Sequence, residues 1–334
     1  MKCLKSILFF PVFVSLILIV SVHYYVFLRT PVGPARPIKF HIKAGTHSWE
    51  ICNRLEDDHI VSNAWMFMAS ALVTRKISRL EAGMYVFEGK HYPMEIMDML
   101  FHGRTLNYIV TIPEGSDVYD IADRLNSDGI ISKKEFLDVA LSPKTAVFFG
   151  IHSPSMEGYL FPDTYYLSPN MTPLEIVAEM VKRFKQVYTP AFASRAKELG
   201  MDQNEVVTLA SIIEKEAVVR EEKPVISSVF HNRLRLGMLL QSDPTAIYGI
   251  DGFNRKISKK DLMRDSRYNT YRYRGLPPGP ICNPGEDSII AALWPAKTDY
   301  LYFVARGGGR HYFSVTLKQH LRAVAKVRRN RRRK

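Results

Sequence analysis

Cysteine is scarce in this sequence, and its few cysteines lie far apart. The chain of 334 residues contains only Cys3, Cys52 and Cys282. This number and spacing exclude a disulfide framework and do not indicate a metal site. A His-Glu-x-x-His pair, a Cys-x-x-Cys pair and a glycine-rich phosphate loop before a helix are also absent. We therefore expect the protein to use no metal and no cofactor.

Acidic residues are outnumbered by basic ones. The chain has 33 Asp and Glu against 46 Lys and Arg, a formal net charge of +13, and residues 322–334 include eight basic residues and no acid. Such an excess suggests an anionic partner, such as nucleic acid, acidic lipid or an acidic polymer. A basic run at a chain end is more typical of a solvated tail. We interpret residues 321–334 as a basic C-terminal tail and expect no nucleic-acid partner.

Only one apolar run is long enough to cross a membrane. Residues 7–28 contain no Asp, Glu, Lys or Arg, and 22 residues can span the hydrocarbon layer as a helix. A cleaved signal peptide would have a shorter apolar core followed by small residues. The run instead has Tyr24 and Tyr25 near its end, as at a membrane interface. We predict an uncleaved anchor at 7–28 after a short cytoplasmic segment at 1–6, with the rest of the protein outside the cytoplasm.

Residues 37–141 contain a duplication with an offset of 70 positions. The residues that recur at this offset are Ile42, Gly45, Ile51, Arg54, Leu55, Asp58, Ile60 and Ser62. Each copy predicts a strand, a turn at Gly45 or Gly115 and two helices, the second capped by Ser62 or Ser132. Residues 83–88 have strand character.

This strand–helix–helix–strand order, with a glycine turn before the first helix, resembles the LysM family. The resemblance implies binding to cell-wall glycans that contain N-acetylglucosamine. Trp49 could then stack on a sugar ring, because an aromatic face packs well against a pyranose. The alternatives are that Trp49 belongs to a hydrophobic core and that the region is a small α+β spacer.

The stretch 204–218 predicts a helix that carries a candidate catalytic acid. Its apolar residues recur at helical spacing, so we expect an amphipathic helix with one apolar stripe. Glu216 lies among large aliphatic side chains on that helix, whereas Glu214 falls beside smaller and more polar ones. Loss of hydration among aliphatic groups would raise the pKa of Glu216 and keep a proton available near neutral pH. The alternative is a solvated Glu at the edge of a core helix.

Short polar side chains cluster in the loops of residues 155–320, which we predict to form the catalytic domain. Sugar hydroxyl and acetamido groups suit such donors and acceptors better than phosphate does. A Gly-Gly-Gly turn at 307–309 predicts a hairpin. The candidate substrate-binding residues are Glu157, Gln241, Ser242, Asp243, Asn269 and Tyr271.

Several long motifs resemble the YceG-like family over nearly the whole chain. They are residues 209–216 (LASIIEKE), 230–234 (FHNRL), 241–245 (QSDPT), 268–271 (YNTY), 275–279 (GLPPG) and 300–305 (YLYFVA). The resemblance implies an α+β fold with an N-terminal transmembrane helix, LysM-like modules and a mixed α+β catalytic domain. In that family the second Glu of the Glu-Lys-Glu motif, Glu216 here, is the catalytic acid. A Thr often follows that Glu, whereas this chain has Ala217, so any role of that hydroxyl stays open.

The same resemblance implies a membrane-anchored endolytic transglycosylase that cleaves peptidoglycan strands between N-acetylmuramic acid and N-acetylglucosamine. Its product would carry a 1,6-anhydro end, and the cleavage would terminate strand elongation. Its setting would be the inner membrane, with the catalytic domain in the periplasm and peptidoglycan synthases such as penicillin-binding proteins as partners. Three alternatives remain open: a non-catalytic glycan-binding anchor protein, a hydrolytic muramidase, and a binder of nucleic acid or an acidic polymer through the basic tail.

Overall fold

The computed structural model describes residues 2–43, 45–76, 80–103, 108–168, 171–250 and 256–331. Within these ranges, side chains are described from residue 14 to residue 330. The chain divides into two compact units, Met1–Tyr108 with Tyr166–Asn170, and Ile109–Tyr165 with Met171–Lys334. Both units mix helices with two-stranded antiparallel pairs, which confirms the predicted α+β class.

The first unit contains the first copy of the predicted duplication. Its elements are α1 (Lys2–Arg29), β1 (Ile38–Ile42), α2 (Ser48–Asp57), α3 (Ala64–Val73), β2 (Gly83–Phe87) and α4 (Pro93–Phe101). β1 pairs with β2 in antiparallel register, with Phe40 opposite Tyr85. The helices α2 and α3 therefore connect two neighbouring strands, which confirms the predicted strand–helix–helix–strand order for this copy. The cap of α3 differs from the prediction, because Asn63 rather than Ser62 accepts the backbone N–H of Met66.

Aromatic and aliphatic side chains from every element fill the core of this unit. Phe40, Leu55, Phe67 and Phe87 are fully or almost fully buried, and each comes from a different element. Burying side chains of this size contributes about 2 kcal/mol each, which holds the short strands and helices together.

The helix α1 contains the predicted anchor at 7–28, although the side chains of residues 2–13 lie outside the described set. The C-terminal end of α1 packs into the first unit: Phe27 is buried, and the Tyr24 hydroxyl lies 2.9 Å from Ser70 Oγ. Among the residues that the structure describes, no helix combines the length and apolarity that a membrane crossing requires.

Apart from Tyr108, Tyr166 and Leu167, the second copy of the duplication lies in the second unit. It comprises β3 (Tyr108–Thr111), α5 (Val118–Ser127), α6 (Lys133–Ala140), a further helix α7 (Pro143–Phe148) and β4 (Thr164–Leu167), which pairs with β3. Ser132 caps α6 as predicted, since its side chain accepts the N–H of Glu135. Gly115 has φ +77°, and Gly45 has φ +81° at the matching turn. Both turns need this left-handed backbone, which glycine adopts without steric cost.

Helices dominate the rest of the second unit. They are α8 (Pro173–Val187), α9 (Pro190–Glu198), α10 (Gln203–Glu216), α11 (Lys223–Arg235), α12 (Asp243–Ile247), α13 (Lys259–Leu262) and α14 (Glu286–Leu293). α10 packs against both α11 and α14. The sequence predicted one apolar stripe on α10, but every residue from Val206 to Ile213 is buried. The stripe prediction is therefore wrong, because α10 is the central core helix of this unit rather than a helix with one solvated face.

The chain ends with a hairpin and a long basic helix. β5 (Tyr302–Gly307) and β6 (Arg310–Ser314) pair around the predicted glycine turn, and α15 (Leu317–Arg331) follows and packs on β5. The basic residues that the sequence assigned to a terminal tail continue α15 as far as Arg331, and residues 332–334 lie outside the described range.

Candidate active site

The end of α10 determines where its last two acids, Glu214 and Glu216, lie. Glu216 is the last helical residue, and Ala217 then adopts an extended backbone. The helix is buried up to Ile213, so its final turn leaves the core and brings both acids to the core boundary. Glu214 and Glu216 are two positions apart, about 200° around a helix, and therefore project in different directions.

Glu214 is held by the protein itself. Its carboxylate oxygens lie 3.1 and 3.2 Å from Nζ of the buried Lys223, and Oε2 accepts the backbone N–H of Gly285 at 3.0 Å. An ion pair and a hydrogen bond at the start of α14 satisfy this carboxylate, so it connects α10, α11 and α14. This arrangement fits a structural acid.

Glu216 instead borders a cavity of ≈ 340 Å³. Ser242 Oγ donates a hydrogen bond of 2.6 Å to its Oε1. The residues that line the cavity are Glu216, Arg233, Leu240, Gln241, Asp243, Tyr271, Tyr302, Phe303, Leu317 and His320. The carboxyl of Glu216 is thus reachable by a ligand while most of its surroundings are protein.

The surroundings of Glu216 favour its protonated form. Dense packing raises its pKa from 4.5 to about 7, and the negative charge of Asp243 acts in the same direction. The hydrogen bond from Ser242 and the positive charge of Arg233 lower the pKa and offset part of this effect. A carboxyl with this pKa carries a proton in about half of the molecules at neutral pH, as a general acid requires.

The segment 241–243 brings three of the predicted binding residues to this cavity. Gln241 has φ +52°, a left-handed conformation that is uncommon for a residue with a side chain. Thr270 holds the segment in place, since its carbonyl accepts the N–H of Gln241 and its hydroxyl accepts the N–H of Ser242. Such strain persists only where neighbouring contacts fix it, and it is common next to functional groups.

Asp243 and Tyr271 form a second polar pair on the cavity wall. The Tyr271 hydroxyl donates to Asp243 Oδ1 at 2.5 Å, and both residues line the cavity with Gln241. The structure therefore brings Glu216, Gln241, Ser242, Asp243 and Tyr271 together.

Asn269 lies close to this group in sequence, but its side chain is used within its own loop. It is fully buried, and its amide donates to the carbonyl oxygens of Leu262 and Arg264 at 3.0 and 2.8 Å. Its Oδ1 accepts the N–H of Tyr271 at 3.0 Å. Asn269 thus shapes the loop that presents Tyr271 and does not line the cavity.

Glu157 also lies away from the cavity, in a buried polar network. Only 1% of its surface is exposed. Its carboxylate accepts hydrogen bonds of 3.0 Å from the N–H of Val118, the Tyr248 hydroxyl and the Asn283 amide. Burial raises the pKa of Glu157 to about 8, although the hydrogen bonds from Val118 and Tyr248 act in the opposite direction. The network joins the start of α5 to the segment before α14, which fits a structural acid; the predicted contact with substrate remains an untested prediction.

Six of the ten residues that line the cavity were not predicted as site residues from the sequence. Arg233 is buried on α11 and donates to the carbonyls of Leu301 and Leu240, both at 2.7 Å. Its position in the FHNRL motif was the available signal. Tyr302 and Phe303 come from β5, and His320 comes from α15. The YLYFVA motif was the available signal for Tyr302 and Phe303, whereas His320 lies outside the motifs that carry the resemblance.

Comparison with known proteins places this chain in a family. The YceG-like family model matches residues 40–326. An endolytic murein transglycosylase from Bacillus subtilis strain 168 is 33% identical over 308 residues, which cover 86% of this chain and 84% of that protein. The protein with the same name from Streptococcus pneumoniae strain D39 is 28% identical over 316 residues, 85% of this chain but 57% of that protein.

A solved structure is similar over a comparable range. The 2.6 Å crystal structure of a yceG-like protein from Listeria monocytogenes has 34% sequence identity and a TM-score of 0.59, and the match covers 86% of this chain and 98% of that one. The family model and these matches each span most of the sequence. This chain belongs to the YceG-like family.

Proposed function

We propose that this protein is an endolytic lytic transglycosylase that cleaves murein glycan strands, with Glu216 as the catalytic acid. The observation that carries the proposal is the Glu216 carboxyl, which has a pKa of about 7 and borders a cavity lined by polar and aromatic side chains. The names of the bacterial relatives and the family membership support the same enzyme class.

The proposed reaction needs one proton that leaves Glu216 and returns. Glu216 gives its proton to the glycosidic oxygen as the bond from that oxygen to C1 of N-acetylmuramic acid breaks. The resulting carboxylate then takes the proton of the 6-hydroxyl of the same sugar, while the 6-oxygen bonds to C1. The products are a free hydroxyl on N-acetylglucosamine and a 1,6-anhydro ring, and Glu216 is protonated again. No water is consumed.

The polar neighbours of Glu216 would orient the sugars around the broken bond. Gln241, Asp243 and Tyr271 line the cavity, and Ser242 fixes the rotamer of Glu216. Holding the 6-hydroxyl in line with C1 can supply much of the rate, because the attacking group belongs to the substrate itself.

A hydrolytic muramidase is the second candidate, and Asp243 is the observation that favours it. A hydrolase normally needs a second carboxylate to activate water or to act as nucleophile. Asp243 lines the same cavity as Glu216, and its carboxylate accepts a hydrogen bond from the Tyr271 hydroxyl. Mass spectrometry separates the two reactions, since a hydrolysed end is one water heavier than an anhydro end.

The test is digestion of purified murein sacculi by wild-type protein and by Glu216→Gln. We expect anhydro-muropeptides from the wild type and none from the variant, because glutamine cannot donate the proton. Glu221→Gln is the matched control, since Glu221 is an exposed acid near the same helix end, and it should retain full activity. Full activity of Glu216→Gln would remove Glu216 from the mechanism.

We extend the proposal to the location of the enzyme. Residues 7–28 contain no acidic or basic side chain except His23, and Leu16, Leu18 and Val20 of α1 are more than half exposed, as a lipid-facing helix would be. A single anchor at the inner membrane would hold the catalytic unit beside newly made strands and their synthases. If the anchor exists, the protein stays in the membrane pellet after an alkaline wash, and deletion of residues 1–28 releases it.

The first strand–helix–helix–strand segment is proposed to bind glycan, as a LysM-like module would. Trp49 is partly buried against the core of this unit, and its ring centroid lies 4.5 Å from that of Trp65, which is 72% exposed. The exposed ring of Trp65, which packs against Trp49, offers a flat apolar surface on which a sugar ring can stack. Loss of sacculus binding in Trp65→Ala would support this role, and unchanged binding would leave the segment a spacer.

A further inference from the structure

The helix α15 contributes directly to the wall of the Glu216 cavity. Leu317 and His320 line the cavity together with Glu216 and Arg233. The imidazole of His320 stacks on Tyr302, with ring centroids 5.3 Å apart and ring planes at 25°. Arg233 lies over the same tyrosine, with Cζ 5.4 Å from the ring centroid. These contacts hold the His320 ring in one orientation at the wall of the cavity that Glu216 borders.

The two nitrogens of His320 have different surroundings. Nδ1 is buried and has no hydrogen-bond partner. Nε2 is not among the buried atoms and makes no hydrogen bond to any residue that the structure describes. Burial and the positive charge of Arg233 lower the pKa of His320, so the ring is neutral at pH 7. A neutral imidazole has one N–H donor and one acceptor.

The buried Nδ1 determines where the proton of the neutral ring lies. Buried N–H groups without a partner are rarer in proteins than buried acceptors without one, because an unpaired donor is costly. This assigns the proton to Nε2, the nitrogen that remains free to meet a ligand. His320 therefore presents a fixed, uncharged hydrogen-bond donor in the cavity that Glu216 borders.

Apolar side chains line the same cavity as this donor. Leu240, Phe303 and Leu317 are lining residues that can only offer van der Waals contact. A neutral donor beside an apolar wall matches an N-acetyl group, whose carbonyl oxygen accepts a hydrogen bond and whose methyl group needs an apolar neighbour. A hydroxyl group alone would not use the apolar wall.

We propose that His320 and the apolar wall beside it form an N-acetyl subsite, in which His320 Nε2 donates to the acetamido oxygen of a murein sugar next to the bond that is cleaved. The subsite rests on the proposed function for its substrate class. It gives α15, the basic C-terminal helix, a part in substrate recognition. His320 is a substrate-positioning residue in this reaction and transfers no proton to the glycosidic oxygen.

The test compares two substrates in a protein that binds but does not cleave. The background is the full chain with Glu216→Gln, and the ligands are soluble murein glycan strands before and after chemical de-N-acetylation. Loss of one neutral hydrogen bond corresponds to about a ten-fold change in Kd. We expect His320→Ala to weaken binding of the acetylated strand by about this factor and to leave binding of the de-N-acetylated strand unchanged.

Two further variants separate recognition from folding. Glutamine can place an amide N–H near the position of Nε2, whereas asparagine can reach only the position of Nδ1, so we expect His320→Gln to restore binding and His320→Asn not to. Leu321→Ala is the matched control, because Leu321 is the next residue of α15, is 58% exposed and does not line the cavity. In the cleaving enzyme, His320→Ala should raise KM more than it lowers kcat.

Each outcome decides the proposal. An equal loss for both strands, or no loss for either, overturns it. If His320→Ala fails to fold, the comparison of His320→Gln with His320→Asn decides alone, and equal binding by these two variants overturns it. The binding assay does not depend on cleavage. If the wild-type protein binds strands but never cleaves them, the proposed function is refuted, and the binding data still decide on the N-acetyl subsite.

Discussion

Replacing Glu216 by glutamine should make the protein more stable at alkaline pH, because folding raises the pKa of this carboxyl. The pKa is about 7 in the folded protein against 4.5 for an ordinary glutamate. An acid with a raised pKa binds its proton more tightly in the native state, so its contribution to stability is fully present below pH 4.5. That contribution is lost as the pH rises through 7. Glutamine has the same shape, still accepts the hydrogen bond of Ser242 and does not titrate.

The size of the effect follows from the pKa difference. A difference of about 2.5 pKa units at 1.36 kcal/mol per unit corresponds to about 3 kcal/mol. This value is an upper bound, because Glu216 is partly accessible through the cavity. We expect the free energy of unfolding of Glu216→Gln, relative to wild type, to rise by about 2–3 kcal/mol between pH 4 and pH 8 and to remain constant above pH 8.

The measurement is urea unfolding of the detergent-solubilised full chain at several pH values, followed by circular dichroism. Effects shared by the two proteins cancel in the difference between variant and wild type at each pH. Glu221→Gln is the control for the removal of one exposed negative charge near the same helix end. A pH-independent difference for Glu216→Gln would refute the reasoning, since it would mean that Glu216 titrates as an ordinary carboxyl and holds no proton at neutral pH.

Two other predictions concern the acids of this unit. Ser242→Ala removes a donor that lowers the pKa of Glu216, so the alkaline limb of the pH–rate profile should move up by about one pH unit. Asp243→Asn removes a negative charge that raises this pKa, so the same limb should move down. A shift in the same direction for both variants would contradict the assignment of Glu216 as the acid. Glu157→Ala leaves three donors, including the Tyr248 hydroxyl, without an acceptor, so the free energy of unfolding should fall by about 3 kcal/mol. The KM of the folded variant should equal that of the wild type. A raised KM would place Glu157 in contact with substrate.

Local sequence patterns predicted the secondary structure well. The helix predicted at 204–218 is Gln203–Glu216, and the strand predicted at 83–88 is Gly83–Phe87. Capping residues, helical spacing and glycine turns act over a few neighbouring residues, so one sequence is enough to recognise them. The burial of α10 on all sides was not predictable in this way, because it depends on α11 and α14, which pack against it from elsewhere in the chain.

The candidate site was predictable only in part, for the same physical reason. The aliphatic neighbours of Glu216 on its own helix made it a candidate, and the Glu-Lys-Glu motif of the family resemblance identified it as the acid. Glu157 and Asn269 have the same polar chemistry as the cavity residues, and only the folded chain shows that their side chains bond within the protein. His320 reaches the cavity through the packing of α15 on β5, a contact between distant parts of the fold that has no sequence periodicity.

The left-handed backbone at Gln241 has a consequence for engineering this enzyme. A selection for heat resistance would favour glycine there, because glycine removes the strain at φ +52°. The exchange would also let the segment relax and loosen the hydroxyl that contacts Glu216. Variants with glycine at position 241 would have higher thermal stability and a lower kcat, so stability and activity conflict at this position.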